Sequence, residues 1–164
     1  MTKEKVVVIG QGYVGLPVSM SAVAAGYDVV GIDLNVRRTQ GLNEAVSYVE
    51  DISNETLRNA LDSGRFAAST SYDAAQDFDY AVITVPTPLK ETLPDLSYIE
   101  DSARSLAPYL KKGATVVLES TTYPGTTKEL LVPLLEEGSG LKAGKDFYVG
   151  YSAERIDPGN KTYM

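Results

Sequence analysis

The composition of this chain of 164 residues limits the classes of protein to which it can belong. Its length suits one domain with a buried core, and we expect residues 1–164 to form that single domain. The 15 basic and 22 acidic residues give a net charge of −7, which argues against nucleic acids and anionic membranes as partners. Cysteine and histidine are both absent, which excludes disulfides and histidine acid–base chemistry, and we expect no metal site.

The N-terminal segment has some features of an export signal. Lys3 and Lys5 precede an apolar run, but Gly10 and Gln11 interrupt the continuous hydrophobicity that such a signal needs. No stretch approaches the roughly 18 apolar residues of a membrane-spanning helix. We therefore expect a cytoplasmic protein without membrane contact.

The first predicted strand runs directly into a glycine-rich turn. Residues 6–9 (V-V-V-I) are followed at once by residues 10–15 (G-Q-G-Y-V-G) and then by an alanine-rich helical stretch. A strand, a G-x-G-x-x-G turn and a helix in this order indicate a dinucleotide-binding βαβ unit. Gly10 permits the tight turn, Gly12 lets the backbone approach a pyrophosphate, and Gly15 lets the helix pack against the sheet. The amides that open this helix then face an anion.

A carboxylate ends the second predicted strand. Asp33 follows the apolar run 29–32, at the distance from the glycine motif that a ribose-binding acid requires. Such a carboxylate accepts hydrogen bonds from the adenosine ribose and repels a 2′-phosphate. Arg37 and Arg38 could accommodate a 2′-phosphate, but because the acid holds the discriminating position we place them beside the adenine. The sequence therefore predicts NAD rather than NADP.

Short β-branched runs alternate with helical patterns along the rest of the chain. The predicted strands cover residues 5–9, 28–33, 67–70, 80–85, 115–119 and 147–151. The predicted helices cover residues 13–25, 36–44, 54–63, 97–111 and 127–136. Gly26 and Gly64 are expected to stop the first and third helices, and Ser97 and Thr126 to open capping boxes with Glu100 and Glu129. The alternation predicts an α/β fold, a Rossmann-type doubly wound parallel sheet with six strands in the order 3-2-1-4-5-6.

In such a sheet, ligands bind beyond the carboxyl ends of the strands, where the strand order reverses. The loop after the fourth strand reads V-P-T-P from Val85, and its prolines hold Thr87 in place, either as a rigid edge or as a binding residue. The loop after the fifth strand carries Ser120 and Thr121, which capping by Thr126 leaves unexplained. The loop after the sixth contains Glu154 and Arg155, which form either a solvated ion pair or part of a catalytic loop.

Taken together, these loops resemble the nucleotide-sugar dehydrogenases, the UDP-glucose and UDP-N-acetylhexosamine 6-dehydrogenase family. The motifs that carry the resemblance are G-Q-G-Y-V-G-L-P from Gly10, Asp33 with Asn35, V-P-T-P from Val85, E-S-T-T-Y-P-G-T-T from Glu119 and S-A-E-R-I-D-P-G-N from Ser152. The last motif is similar to the N-acetylhexosamine or a related branch, since the plain UDP-glucose branch reads S-P-E-F-L-R-E. Ala153 stands before Glu154, where the family usually has a proline. Pro158 stands where the plain UDP-glucose branch has a second glutamate.

The resemblance implies oxidation of the carbon-6 alcohol of a UDP-sugar to a carboxylate with two NAD. In the family, a cysteine on a later domain captures the aldehyde and forms a thioester, which water hydrolyses. By position, Thr121 is expected to position a water and Glu154 to assist the hydrolysis as catalytic residues. The expected cofactor-binding residues are Gly10, Gly12, Tyr13, Val14, Gly15, Asp33, Arg38, Val85, Pro86, Thr87, Ser120, Thr121 and Glu154.

The resemblance also implies parts that this sequence does not contain. The family needs a cysteine nucleophile, a central helix and a C-terminal nucleotide-sugar domain, whereas this chain has no cysteine and ends at Met164. We therefore expect an N-terminal cofactor domain that is inactive alone and belongs to a longer, homodimeric enzyme. Two alternatives stay open: a regulatory NAD-sensing domain, and the N-terminal domain of a 6-phosphogluconate or 3-hydroxyacid dehydrogenase. The V-P-T-P and S-A-E-R-I-D-P-G motifs argue against both.

Overall fold

The computed structural model describes residues 3–154, whose centre is a six-stranded parallel sheet. The strands in chain order are β1 Lys5–Ile9, β2 Asp28–Ile32, β3 Phe66–Ser69, β4 Tyr80–Ile83, β5 Leu89–Lys90, β6 Leu93–Pro94, β7 Thr115–Leu118 and β8 Tyr148–Tyr151. The sheet has the order β3-β2-β1-β4-β7-β8, while β5 and β6 form a separate antiparallel hairpin. The predicted fold class and strand order are confirmed.

Within residues 3–154, five α-helices connect and cover the strands. They are α1 Gly15–Ala24, α2 Val36–Asn43, α3 Asn54–Asp62, α4 Ser97–Leu106 and α5 Val132–Ser139. Short 3-10 turns cover Tyr72–Ala75 and Ala107–Tyr109, and a π-helical turn, Thr127–Leu131, leads into α5. No helix within residues 3–154 is both long and apolar enough to cross a membrane.

The central strands of the sheet are buried on both faces, where helices pack against them. Val6 of β1 pairs with Val29 of β2 on one side and with Tyr80 of β4 on the other. Successive side chains of β1 point to opposite faces, so Val6 and Val8 join one core cluster while Val7 and Ile9 join the other. The carboxyl ends of β1, β2, β4, β7 and β8 therefore lie along one edge.

A buried amide side chain fixes the turn after β1. Gln11 has no exposed surface; its Nε2 donates to the Val8 carbonyl at 2.9 Å, and its Oε1 accepts from the Ser19 hydroxyl at 3.1 Å. The side chain lies over Gly31 of β2, where a Cβ would come within 2.5 Å of the Gln11 Cδ. The second strand thus has a glycine where Gln11 needs the space.

Most predicted boundaries hold, but both capping boxes are wrong. Ser97 is the first residue of α4 and not its cap. Its amide donates to Asp95 Oδ1 at 3.0 Å, so Asp95 supplies the acceptor at the start of this helix. The Thr126 hydroxyl donates to the Tyr123 carbonyl at 2.9 Å and caps no amide, because the turn that follows it is π-helical. Helix α4 also ends earlier than predicted, at Leu106, where a 3-10 turn containing Pro108 begins.

Candidate cofactor-binding site

The edge of the sheet forms one crevice of about 740 Å³. It is lined by the loops after β1, β2, β4, β7 and β8, by α4 and by Tyr72. The predicted site residues that lie along it are Gly10, Gly12, Tyr13, Val14, Asp33, Arg38, Val85, Pro86, Thr87, Ser120, Thr121 and Glu154. Gly15 is buried and does not line the crevice. Residues far apart in the sequence thus meet in one place, and their roles stay predictions.

The three glycines of the first turn have different surroundings. Around Gly12 no atom lies within 4 Å of the position that a Cβ would take, so the crevice is open there. At Gly15 a Cβ would lie 1.7 Å from the Gly10 carbonyl oxygen and 2.6 Å from Thr84 Oγ1. Gly10 itself has a φ of +87°, a left-handed conformation that favours glycine. Gly12 therefore leaves room for a ligand, whereas Gly15 permits the helix to pack closely.

The turn also leaves backbone donors available. Within residues 3–154, the amides of Gly12, Tyr13 and Val14 have no hydrogen-bond acceptor. Helix α1 begins at Gly15 rather than at the predicted residue 13, so these amides belong to its N-terminal approach. Unpaired amides and the positive end of a helix dipole favour a phosphate.

Asp33 is held at the tip of β2 by backbone amides. Its Oδ2 accepts from the Gln11 amide at 2.9 Å, and its Oδ1 accepts from the Asn35 amide at 2.9 Å. Arg38 Nη1 lies 3.5 Å from Oδ2, and only 10% of the Asp33 side chain is exposed. The carboxylate therefore has a fixed orientation between the glycine-rich turn and the start of α2.

Arg38 is placed by Asn35 and Tyr48. The Asn35 side chain caps α2 by accepting from the amides of Arg37 and Arg38 at 3.1 and 3.2 Å. The Arg38 guanidinium carbon lies 5.3 Å from the centre of the Tyr48 ring, within the range of a cation–π contact. The Tyr48 hydroxyl donates to the Gln11 carbonyl. Burial, with a smaller contribution from Asp33, raises the pKa of Tyr48 to about 12, so this hydroxyl stays protonated.

The loops after β4 and β7 are tied to each other by two hydroxyls. Thr87 Oγ1 donates to the Thr121 carbonyl at 2.6 Å, and Ser120 Oγ donates to the Val85 carbonyl at 2.9 Å. Ser120 is buried, with 4% of its surface exposed. Each loop thus donates a side-chain hydrogen bond to the backbone of the other, so Ser120 and Thr87 hold the two loops together.

Two carboxylates, Glu119 and Glu154, line the same end of the crevice as these loops. Burial, together with the nearby charge of Glu154, raises the pKa of Glu119 above its ordinary value. Arg155, which the ion-pair interpretation of Glu154 requires, lies outside the described residues, as does the rest of that loop.

The crevice wall formed by Tyr72 and α4 was not predicted from the sequence. Tyr72 lies there, and burial raises the pKa of its hydroxyl above its ordinary value. The other residues of this wall lie on α4: Tyr98, Asp101, Ser102 and Ser105. Their spacing places them on one face of the helix, and this polar face was the available signal.

Comparison with known proteins identifies this arrangement. A model described as the UDP-glucose/GDP-mannose dehydrogenase family, NAD binding domain, matches residues 4–163. The chain belongs to this family. NAD is therefore the cofactor of the domain, and the crevice fits it: the space at Gly12 suits a pyrophosphate, and the fixed Asp33 carboxylate suits a ribose.

Individual relatives agree with the family. The UDP-N-acetyl-D-mannosamine dehydrogenase of Pyrococcus horikoshii is 37% identical over 156 residues, covering 94% of this chain and 37% of that protein. The UDP-N-acetyl-D-glucosamine 6-dehydrogenase of Salmonella typhi is 39% identical over 161 residues, covering 97% and 37%. The solved structure of the Pyrococcus protein has a TM-score of 0.89 at 36% identity, covering 94% of this chain and 37% of that one. A ternary complex of GDP-mannose dehydrogenase from Pseudomonas aeruginosa has a TM-score of 0.88 at 33% identity, covering 93% and 36%.

This NAD-binding domain spans about 37% of the length of those curated relatives. The match confirms the resemblance that the sequence motifs indicated. It also decides against an NAD-sensing domain and against the 6-phosphogluconate or 3-hydroxyacid dehydrogenase alternative.

Proposed function

We propose that this chain is the cofactor-binding domain of an NAD-dependent nucleotide-sugar 6-dehydrogenase. The enzyme would oxidise the carbon-6 alcohol of a UDP-sugar, of the UDP-N-acetylhexosamine or UDP-glucose type, to the uronic acid with two NAD. The names of the relatives from Pyrococcus and Salmonella support a UDP-N-acetylhexosamine. Because the chain contains no cysteine, the nucleophile and most of the sugar site would belong to further segments of the enzyme.

The glycine-rich turn and the tip of β2 would hold the adenosine half of the cofactor. The amides of Gly12, Tyr13 and Val14 suit the pyrophosphate, since they have no acceptor within the described residues. Asp33 would accept hydrogen bonds from the ribose hydroxyls through lone pairs that Gln11 and Asn35 leave free. Arg38 would contact the adenine from its place over Tyr48.

The loops after β4, β7 and β8 would form the reactive end. Bound NAD supplies the acceptor for the hydride, and Thr87, Ser120 and Thr121 would line its nicotinamide. We propose that Thr121 positions a water and that Glu154 accepts a proton from it during hydrolysis of the thioester. The observation that carries this proposal is the convergence of the three loops on the crevice that contains the glycine-rich turn.

Calorimetry on this chain tests the proposal. We expect binding of NAD with low affinity, because nothing in the described residues closes over the nicotinamide end of the open crevice. We expect no NADH from any UDP-sugar, since proximity and covalent capture both need the nucleophile. We also expect no binding of UDP-sugars by this chain, since most of the sugar site would belong to further segments of the enzyme. Activity should appear when the remaining domains of such an enzyme are joined to it.

Two results would contradict the proposal. The first is the absence of any NAD binding at millimolar concentration by the folded chain. The second is reduction of NAD by the chain alone with a UDP-hexose, in a preparation free of contaminating enzyme, because this would require a mechanism without cysteine.

A further inference from the structure

The two peptide groups on either side of the Gln11 Cα are both held by side chains. In the first, the Gly10 carbonyl accepts from Thr84 Oγ1 at 2.8 Å, and the Gln11 amide donates to Asp33 Oδ2 at 2.9 Å. In the second, the Gln11 carbonyl accepts from the Tyr48 hydroxyl. The remaining group of the second peptide is the Gly12 amide, which has no acceptor within residues 3–154.

A trans peptide is planar, and its N–H points away from its carbonyl. No cis peptide is present among the described residues, so the hydrogen bond from Tyr48 to the Gln11 carbonyl fixes the opposite direction of the Gly12 N–H. We propose that Tyr48 is a positioning residue for the pyrophosphate: it aims the Gly12 amide into the crevice. This inference rests on the proposed NAD site and adds a residue that lies outside the crevice lining.

The chemistry of Tyr48 suits a permanent donor. Burial raises the pKa of its hydroxyl to about 12, so the donor proton is kept throughout the physiological range. The ring packs against the core cluster that contains Leu42 and Val49, and its face lies beneath Arg38 at 5.3 Å. One side chain thus contacts both the residue we place at the adenine and the turn we place at the pyrophosphate.

Tyr48→Phe removes the hydroxyl and keeps the ring beneath Arg38. Tyr80→Phe is the matched control, because the Tyr80 hydroxyl contacts Glu4 at the opposite, amino end of the sheet. Both variants and the unchanged chain are titrated with NAD, ADP and adenosine by NMR, following the Gly12 amide resonance. Thermal melts confirm that each variant is folded.

For Tyr48→Phe we expect affinities for NAD and ADP at least about fivefold lower, which corresponds to about 1 kcal/mol, with the affinity for adenosine changed less than about twofold. The Gly12 amide resonance of the ligand-free chain should also move. Tyr80→Phe should change none of these. A smaller loss for NAD and ADP, or an equal loss for adenosine, would overturn the inference, since a purely structural role weakens all three ligands alike.

The two proposals can fail separately. If the unchanged chain bound no NAD, the proposed function would be contradicted, and the Gly12 resonance would still show whether the Tyr48 hydroxyl sets the direction of the Gly12 amide. An unmoved resonance in ligand-free Tyr48→Phe would show that the hydroxyl does not set the direction of this amide.

Discussion

The carboxylate of Asp33 accepts a hydrogen bond from the amide of Gln11 at 2.9 Å, and this contact joins the tip of β2 to the turn after β1. The residue we expect to recognise the ribose therefore also shapes the turn we expect to bind the pyrophosphate. A change at Asp33 should affect both the choice of cofactor and the geometry of the turn.

Asp33→Asn tests cofactor choice with little change in size. We expect the unchanged chain to bind NAD at least about tenfold more tightly than NADP, a difference of about 1.4 kcal/mol, because the carboxylate repels a 2′-phosphate. The variant should narrow this difference, as measured by calorimetry with both cofactors. Asp62→Asn, at the exposed end of α3, is the control and should leave the ratio unchanged. NADP binding equal to NAD in the unchanged chain would contradict the assignment.

Gly12→Ala and Gly15→Ala separate binding from folding. At Gly12 the added methyl meets no atom within 4 Å, so the free energy of unfolding should change by no more than about 0.5 kcal/mol, while NAD affinity falls because the methyl occupies ligand space. At Gly15 the methyl would lie 1.7 Å from a backbone oxygen, so stability should fall by about 2 kcal/mol or more. Urea unfolding and calorimetry give the two readouts. Equal stability losses in the two variants would contradict the described turn.

Glu119→Gln should stabilise the domain at pH 7. Because folding raises the pKa of Glu119 above its ordinary 4.5, the protonated form is favoured in the folded state, and the charged form at neutral pH opposes folding. The advantage of the variant should disappear as the pH falls through that raised pKa, where the native residue becomes neutral. Urea unfolding of the variant and the unchanged chain at pH 7 and at about pH 4 measures the difference in their free energies of unfolding. Glu137→Gln, at an exposed position of α5, is the control for the substitution itself.

Glu154→Gln tests the proposed general base in an enzyme that carries this domain together with the nucleophile. The variant should remain folded but hydrolyse the thioester slowly, because the amide cannot accept the proton of water. Mass spectrometry should then detect a covalent adduct of sugar and enzyme. Unimpaired turnover would mean that Glu154 has no part in hydrolysis.

The strands and the glycine-rich turn were predictable because their signals are local. Buried β-branched runs identify the strands, and the spacing from Gly10 to Asp33 identifies the cofactor class. The hairpin of β5 and β6 was not predictable in this way. Its turn uses Glu91 and Thr92 with φ of 51° and 76°, a left-handed conformation for which glycine or asparagine is the usual sequence signal.

Residues that act across the fold gave no local signal either. Tyr48 contacts a carbonyl 37 residues earlier in the chain, and nothing in its neighbourhood marks it as part of the site. The capping boxes failed for the opposite reason. Ser97 and Thr126 fit a local pattern. In the structure, however, Asp95 accepts from the Ser97 amide, and the turn after Thr126 is π-helical and has no side-chain cap.

The packing of Gln11 over Gly31 makes these two positions a size-matched pair. A methyl at position 31 would overlap the Gln11 side chain, so an alanine there would displace that buried side chain from its bonds to Val8 and Ser19. Shortening residue 11 alone removes its bonds to Val8 and Ser19 and leaves empty space over β2. Sequence variation at the two positions should therefore be correlated across related domains, and the double variant should be more stable than the sum of the single changes suggests.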